Sequence, residues 1–348
     1  MISAPTLLVD KKKCQANIRK MSTKAKKNNL IFRPHFKTHQ SHEIGDWFRK
    51  EGVTKITTSS MSMASYFAED GWDDITVAFP VNVLEMKTIN RLTSAITLNL
   101  LVESVEAVEL LSKGARAKIN VLIKLDVGTH RTGMNPADII GIKKVIAAID
   151  AAPKLIFTGF LCHAGHSYGC RGKKEITAVH QKSMDILSAI RKTFPDAFIS
   201  YGDTPTCSIA DSFPPVDELR PGNFVFYDTM QLQIGSCAAE DISIALACPV
   251  VAKHPERNEV VIYGGGVHFS KDRMEENGHS VFGYVVADMG KKWGDIFSNV
   301  YVTRLSQEHG IISAPKQWID QLKIGDVVKV LPVHSCMTMD LLREYLVV

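Results

Sequence analysis

The sequence predicts an α/β protein in two parts: a (β/α)8 TIM-type barrel, then a C-terminal, mainly antiparallel β domain. Two observations carry this. Eight apolar, β-rich runs alternate with amphipathic stretches over roughly 230 residues, the pattern of parallel strands joined by helical crossovers. After about Gly235, strand-like runs follow one another with no long amphipathic helix between them. The expected domains are therefore 1–235 and 236–348.

Barrel strands are expected at Leu30–Phe36, Val53–Thr58, Asp74–Phe79, Thr97–Val102, Ile119–Asp126, Leu155–His163, Ala197–Tyr201 and Asn223–Tyr227. Helical periodicity is clearest at Met86–Ser94, Val105–Lys113, Pro136–Ile149 and Lys173–Phe194, where apolar residues recur three and four positions apart. A doubly wound open sheet shares this alternation, because counting strands does not establish closure. In the second part the strand-like runs are Ile242–Lys253, Glu259–Tyr263, Ser280–Ala287, Asn299–Leu305 and Asp326–Leu331.

Composition narrows the function classes. With 45% hydrophobic and 22% charged residues in 348, the chain has the makings of a large core and is not a disordered or low-complexity sequence. Its 41 basic and 37 acidic residues leave a net charge of +4, too slight to indicate a nucleic-acid partner. The lysines at 11–13 and around 24–27 read as a solvated face. No apolar run approaches the ~18 residues that span a bilayer, and the N-terminus lacks a signal-peptide core, so a cytoplasmic protein without a membrane partner is expected. Seven cysteines with no CxxC pair fit neither a disulfide framework nor a four-cysteine zinc module.

Chemistry-bearing residues gather where a barrel would use them. Arg33-Pro34-His35-Phe36-Lys37-Thr38-His39 follows the first expected strand, at the end where barrel active sites form. Strand alternation would place His35 and Lys37 on one face, and cationic neighbours make a lysine a better nucleophile. On these residues alone, an exposed loop lysine remains the ordinary reading. Lys124 to Gly133 follows the fifth strand and its polar residues would line the same rim, where Asp126 and Arg131 form either an ion pair or part of a ligand site. Tyr201 to Thr206 and Arg220 to Asn223 suit phosphate, through glycine-exposed N–H groups and threonine hydroxyls, although turn chemistry explains each separately. Near the C-terminus, His334 and Cys336 on an extended strand would project to one face and hold a metal ion, the alternative being a buried histidine and cysteine. Gln307-Glu308-His309-Gly310 would complete or orient such a site, or form a turn. Tyr263-Gly264-Gly265-Gly266 lacks dinucleotide-loop spacing and reads as a bulge or close β packing.

Together these motifs resemble the D-serine dehydratase and D-threonine aldolase family, which has an alanine-racemase-like fold and binds pyridoxal 5'-phosphate. The resemblance covers nearly the whole chain: Ala4-Pro5-Thr6-Leu7 with Asn17-Ile18, Arg33 to His39, Asp126 to Gly133, Gly202 to Thr206, Arg220 to Asp228, Glu308-His309-Gly310, and His334-Ser335-Cys336. It implies that Lys37 carries the cofactor covalently and then serves as base at Cα. Thr204, Gly222 and Asn223 resemble its phosphate-binding positions, Arg131 the arginine near the phenolic oxygen, and Tyr168 a cofactor-facing tyrosine. Arg220 resembles the arginine that meets the pyridine nitrogen in alanine racemases, a tyrosine being the alternative in this family. His334 and Cys336 fit the family's metal pair, with zinc expected and another divalent metal as the alternative. The glycines at 264–266 depart from the aspartate-alanine-glycine turn of many relatives.

The metal pair suggests the reaction. Dehydratases of this group resemble His-x-Cys with zinc, whereas the aldolases carry His-x-Asp with a harder ion. The implied activity is dehydration and deamination of a D-3-hydroxy amino acid, D-serine or D-threo-3-hydroxyaspartate, to a 2-oxo acid and ammonia. Lys37 would remove the Cα proton while zinc acts as Lewis acid on the β-hydroxyl. A D-threonine aldolase giving glycine and an aldehyde is the runner-up, followed by an amino-acid racemase and a non-catalytic pyridoxal-phosphate carrier. The resemblance also implies a homodimer.

Overall fold

The computed structural model describes residues 2–348 and divides the chain into two compact units. One holds Arg19–Lys37 and Ser41–Gly222; the other holds the N-terminal segment through Ile18, Thr38–Gln40 and Asn223–Val348.

The first unit is built on eight parallel strands: β1 (Ile31–Phe32), β2 (Ile56–Thr58), β3 (Asp74–Pro80), β4 (Thr97–Val102), β5 (Ile119–Leu125), β6 (Leu155–Cys162), β7 (Phe198–Tyr201) and β8 (Glu218–Leu219). From β2 to β8 each strand pairs with the next, and β8 pairs with β1. A parallel bridge between His35 and Thr57 then joins the segment after β1 to β2, where the Phe36 N–H donates to the Thr57 carbonyl at 2.8 Å. The two ends of the sheet therefore meet, which selects a barrel over an open sheet. Helices expected from periodicity form at Met86–Thr93, Val105–Gly114, Ile139–Asp150 and Lys173–Thr193.

The eighth strand is a correction. It lies at Glu218–Leu219, not at Asn223–Tyr227, where Asn223–Val225 forms a 3-10 turn. The Phe224-Val225-Phe226-Tyr227 run is fully buried, and an uninterrupted apolar run does not distinguish a strand from a packed turn. Two features prevent a ladder here. The Val225 carbonyl accepts from Ser243 Oγ at 2.9 Å, and Tyr227 sits at φ 49°, outside the extended region.

Apolar inward residues, such as Leu101, Leu122 and Leu161, share the barrel with a polar network around Arg33. Arg33 Nε donates to Glu218 Oε2 at 2.6 Å and Nη1 to Asp74 Oδ1 at 2.7 Å; Ser200 Oγ donates to Glu218 Oε1 at 2.6 Å. Arg33 and Glu218 side chains are 7% and 2% exposed, so the pair is largely shielded from solvent. Removing one partner of such a pair leaves a desolvated charge. Glu218→Ala is expected to lower unfolding free energy by about 3 kcal/mol, the low end for a broken buried pair because Asp74 still faces the guanidinium. Urea denaturation checks this; an unchanged midpoint would mean the network adds nothing to stability.

The second unit contains a sheet in the order Glu259–Tyr263, His309–Ser313, Lys292–Leu305, Gly283–Met289, Val327–Pro332, Ile244–His254, Thr6–Val9 and Tyr345–Val347. All these neighbours are antiparallel except the last pair. Ile244–His254 also pairs with Glu259–Tyr263, so six of the strands form a ring. The strand Thr6–Val9 was not expected, since four residues are too few to show alternation. Its pairing with Ile244–Ala247 explains why the N-terminal segment belongs to this unit.

Candidate active site

Each expected site residue of the barrel unit follows the end of a strand. Lys37 lies exposed in a turn five residues beyond β1, so strand alternation does not orient it, contrary to the expectation. Its backbone N–H instead faces His35 Nδ1 at 3.4 Å. After β5, the Asp126 carboxylate accepts the N–H groups of Gly128, Thr129 and His130 at 2.9, 2.9 and 3.0 Å, and also meets the His130 ring at 3.0 Å. Partial burial opposes ionisation of Asp126, but these donors hold it below the usual carboxylate range. Gly133 closes the loop at φ 112°, where an added Cβ would meet the Asp126 nitrogen at 2.7 Å. Asp126 thus shapes the loop that presents the exposed Arg131.

Tyr168 lies on the 3-10 turn Gly165–Gly169 after β6, and its hydroxyl accepts the Thr204 N–H at 3.4 Å. Asp203 fastens the two segments together. Its Oδ1 accepts from Ser167 Oγ at 2.7 Å and from the Thr206 N–H at 2.8 Å, capping the helix Thr204–Ile209. Arg220 is buried and committed to the barrel interior: Nη2 donates to the Cys162 carbonyl at 2.6 Å and Nε to Ser200 Oγ.

Two further residues of this rim, His163 and the Lys124 that opens the Lys124 to Gly133 segment, were assigned no role from the sequence. His163 Nδ1 donates to the Gly202 carbonyl at 2.6 Å. Burial, reinforced by the charges of Lys37, Lys124 and Arg131, pushes this imidazole down to about 3. Lys124, on β5, is only 6% exposed; burial, with Arg220 and Arg131 adding to it, pushes its ammonium down to about 8. The available signal was a lysine inside an apolar strand run. Lys37, Lys124 and Arg131 all oppose a proton on His163, a surplus of positive charge that an anionic ligand would relieve. A phosphate-bearing cofactor fits this surplus: Lys37, Lys124 and Arg131 would supply the charge that meets it.

The His163 shift has a pH consequence. A folded-state pKa below the unfolded value means the unfolded chain binds more protons between the two, so stability falls as pH drops from about 6.5 toward 3. His163→Gln is expected to flatten the acid limb of the stability profile in that window. Denaturation at pH 7 and pH 5 checks it; parallel losses in wild type and variant would exclude His163 as the source.

In the second unit, His334 and Cys336 are not on an extended strand. His334 is the N-cap of the helix Ser335–Leu342, and Cys336 lies in its first turn. The strand stops at Pro332, and buried Asp228 anchors the helix start by accepting the Ser335 N–H at 3.0 Å and its hydroxyl at 3.1 Å. The turn still brings thiol and imidazole together. Burial pulls the His334 pKa down, but hydrogen bonds to Asp272 and Cys336 push it up to about 11. Asp272 Oδ2 accepts from His334 Nδ1 at 2.6 Å, a partner the sequence did not suggest. Thr38, the residue after Lys37 in the chain, places Oγ1 3.2 Å from Cys336 Sγ. Asn223 Nδ2 donates to Asp228 at 2.6 Å, Ser335 at 3.1 Å and Cys336 Sγ at 3.6 Å.

Glu308 and His309 do not orient the pair. Glu308 faces His268 at 3.7 Å, while His309 lies in a strand opposite Tyr263. The neighbouring glycines provide close packing, since a Cβ on Gly265 would meet the Gln307 carbonyl at 2.2 Å. Among the described residues no three histidine, cysteine or carboxylate side chains share one metal position. A thiol and an imidazole are nevertheless a donor set suited to zinc, with further positions left to water or substrate.

Comparison with known proteins bears on both units. Residues 9–229 match the alanine racemase N-terminal domain, and residues 243–348 match a putative serine dehydratase domain. The chain is 27% identical to the D-serine dehydratase of Dictyostelium discoideum, over all of this chain and 93% of that protein. It is also 27% identical to the D-threo-3-hydroxyaspartate dehydratase of Delftia sp. (strain HT23), over 97% of this chain and 92% of that one. The D-threonine aldolase of Arthrobacter sp is 23% identical over 98% and 87%. The solved Delftia dehydratase superposes with a TM-score of 0.90 at 25% identity, covering 99% of this chain and 94% of that one. The chain therefore belongs to the alanine racemase N-terminal domain family, in the branch whose second part is a putative serine dehydratase domain.

Proposed function

We propose that the protein is a pyridoxal 5'-phosphate- and zinc-dependent lyase that dehydrates and deaminates a D-3-hydroxy amino acid, D-serine or D-threo-3-hydroxyaspartate, to a 2-oxo acid and ammonia. The observation that carries the choice of reaction is the thiol of Cys336 beside the imidazole of His334, because a thiolate ligand favours zinc over harder ions. Full-length similarity to two dehydratases supports it.

Bound pyridoxal phosphate supplies an electron sink for the charge left at Cα, and zinc supplies a Lewis acid for a poor leaving group. Lys37 holds the cofactor and then takes the Cα proton on Nζ. Arg131, on the loop shaped by Asp126, would meet the cofactor near its phenolic oxygen, and Tyr168 would help hold it. Thr204, Gly222 and Asn223 would receive the phosphate, and His334 and Cys336 would hold the metal. The protein works in the cytoplasm as a homodimer on a free small-molecule D-amino acid.

The test is an assay of the protein loaded with cofactor and zinc, given D-serine, D-threo-3-hydroxyaspartate and D-threonine separately. Oxo acid with equimolar ammonia, lost on chelation and restored by zinc, is the expected result. Glycine with aldehyde would establish the aldolase instead, and neither product from any substrate would overturn the reading.

A further inference from the structure

We infer that Asp272 is a positioning residue for metal capture: it holds the proton on Nδ1 of His334 and so turns the Nε2 lone pair outward as the ligand atom. The inference rests on the metal reading above and adds a residue to it. A metal displaces the proton from one ring nitrogen when it binds, and which nitrogen keeps its N–H depends on the hydrogen bond made by the other. At 2.6 Å, a carboxylate oxygen and Nδ1 are compatible only with a proton between them. That assignment leaves Nε2 as the ring's remaining donor atom to a metal.

The carboxylate is itself held in place by the helix that carries the pair. The Asp272 N–H donates to Ser270 Oγ at 3.1 Å, and the Ser270 N–H to the Gly266 carbonyl at 3.0 Å. One turn beyond His334, Thr338 Oγ1 donates to the Phe269 carbonyl at 3.2 Å. Imidazole, thiol and orienting carboxylate are thus parts of one fastened assembly: helix, Thr338, and the 269–272 segment. The Asp272 side chain is 44% exposed, and a half-exposed ion pair contributes little to folding. A purely structural account of its 2.6 Å contact is correspondingly weak.

The experiment measures zinc affinity of the pyridoxal-phosphate-loaded full chain by chelator competition, for wild type, Asp272→Ala, Asp272→Asn and His334→Ala. Melting temperatures of the metal-free forms and spectra of the cobalt-substituted forms accompany it. Asp272→Ala is expected to weaken zinc binding about 10- to 100-fold with its metal-free melting temperature unchanged. Asp272→Asn, whose amide oxygen still accepts the Nδ1 proton, is expected between Ala and wild type. The thiolate-to-cobalt band should persist in both while the ligand-field bands shift. Wild-type affinity in Asp272→Ala, with zinc lost in His334→Ala, overturns this inference and leaves the metal reading standing. A melting temperature that falls in step with affinity would overturn it in favour of a structural role. Failure of the wild type itself to bind zinc would remove the metal reading and this inference with it.

Discussion

Lys37→Ala is expected to lower turnover by at least about 10²- to 10⁴-fold, the usual contribution of a positioned general base, and to abolish borohydride-trappable cofactor. The side chain is exposed and lies in a turn, so the folded population should not change, and any loss of activity is chemical. Cofactor binding should weaken without disappearing, because the charges of Arg131 and Lys124 remain. Lys37→Arg separates charge from proton transfer: the guanidinium keeps the positive rim but gives up no proton at working pH. It should be as inactive as the alanine variant while holding phosphate better. If Lys37→Ala instead keeps both turnover and trapping, Lys124 becomes the next amine to examine. It lies on the same rim and its ammonium is already pushed down to about 8.

What the sequence could and could not reveal follows from what each signal depends on. Long strands with alternating or continuous apolar residues, such as Ile119–Leu125 and Leu155–Cys162, were legible because burial of a strand is written in its own residues. Glu218–Leu219 was not: a two-residue strand has no periodicity, and its identity depends on Arg33 and Ser200, far away in sequence. His334 and Cys336 were found as a pair, yet the reason given for their proximity was wrong. A strand alternation and a helix N-terminus both put residues i and i+2 close enough to meet, and only the Asp228 anchor on Ser335 decides between them. Asp272 was invisible because its role exists only through a contact across 62 positions. Lys124 and His163 belong to the same class, since the burial and the neighbouring charges that alter them come from other strands.

The Cys336 position offers the sharpest test of which reaction the second unit selects. Cys336→Ala removes one of the two proposed metal donors, and zinc-supported formation of oxo acid is expected to fall by at least about 10-fold, since even outer partners of metal ligands cost that much. Cys336→Asp is the more informative change. It replaces a soft thiolate by a hard carboxylate, which should shift the metal preference from zinc toward manganese or magnesium. The backbone accommodates it: the residue sits in the first helical turn, where an acidic side chain is favourable. The Thr38 hydroxyl at 3.2 Å and the Asn223 amide at 3.6 Å from the present sulfur are both able to donate to a carboxylate. The variant should therefore fold, bind a divalent ion, and be measurable with both product assays. If the ligand sets the reaction, the aspartate variant with manganese should lose oxo acid and gain glycine with aldehyde from D-threonine. If the oxo acid persists with the harder metal, the ligand controls only metal choice, and the cleavage outcome is set by the groups that face the β-carbon.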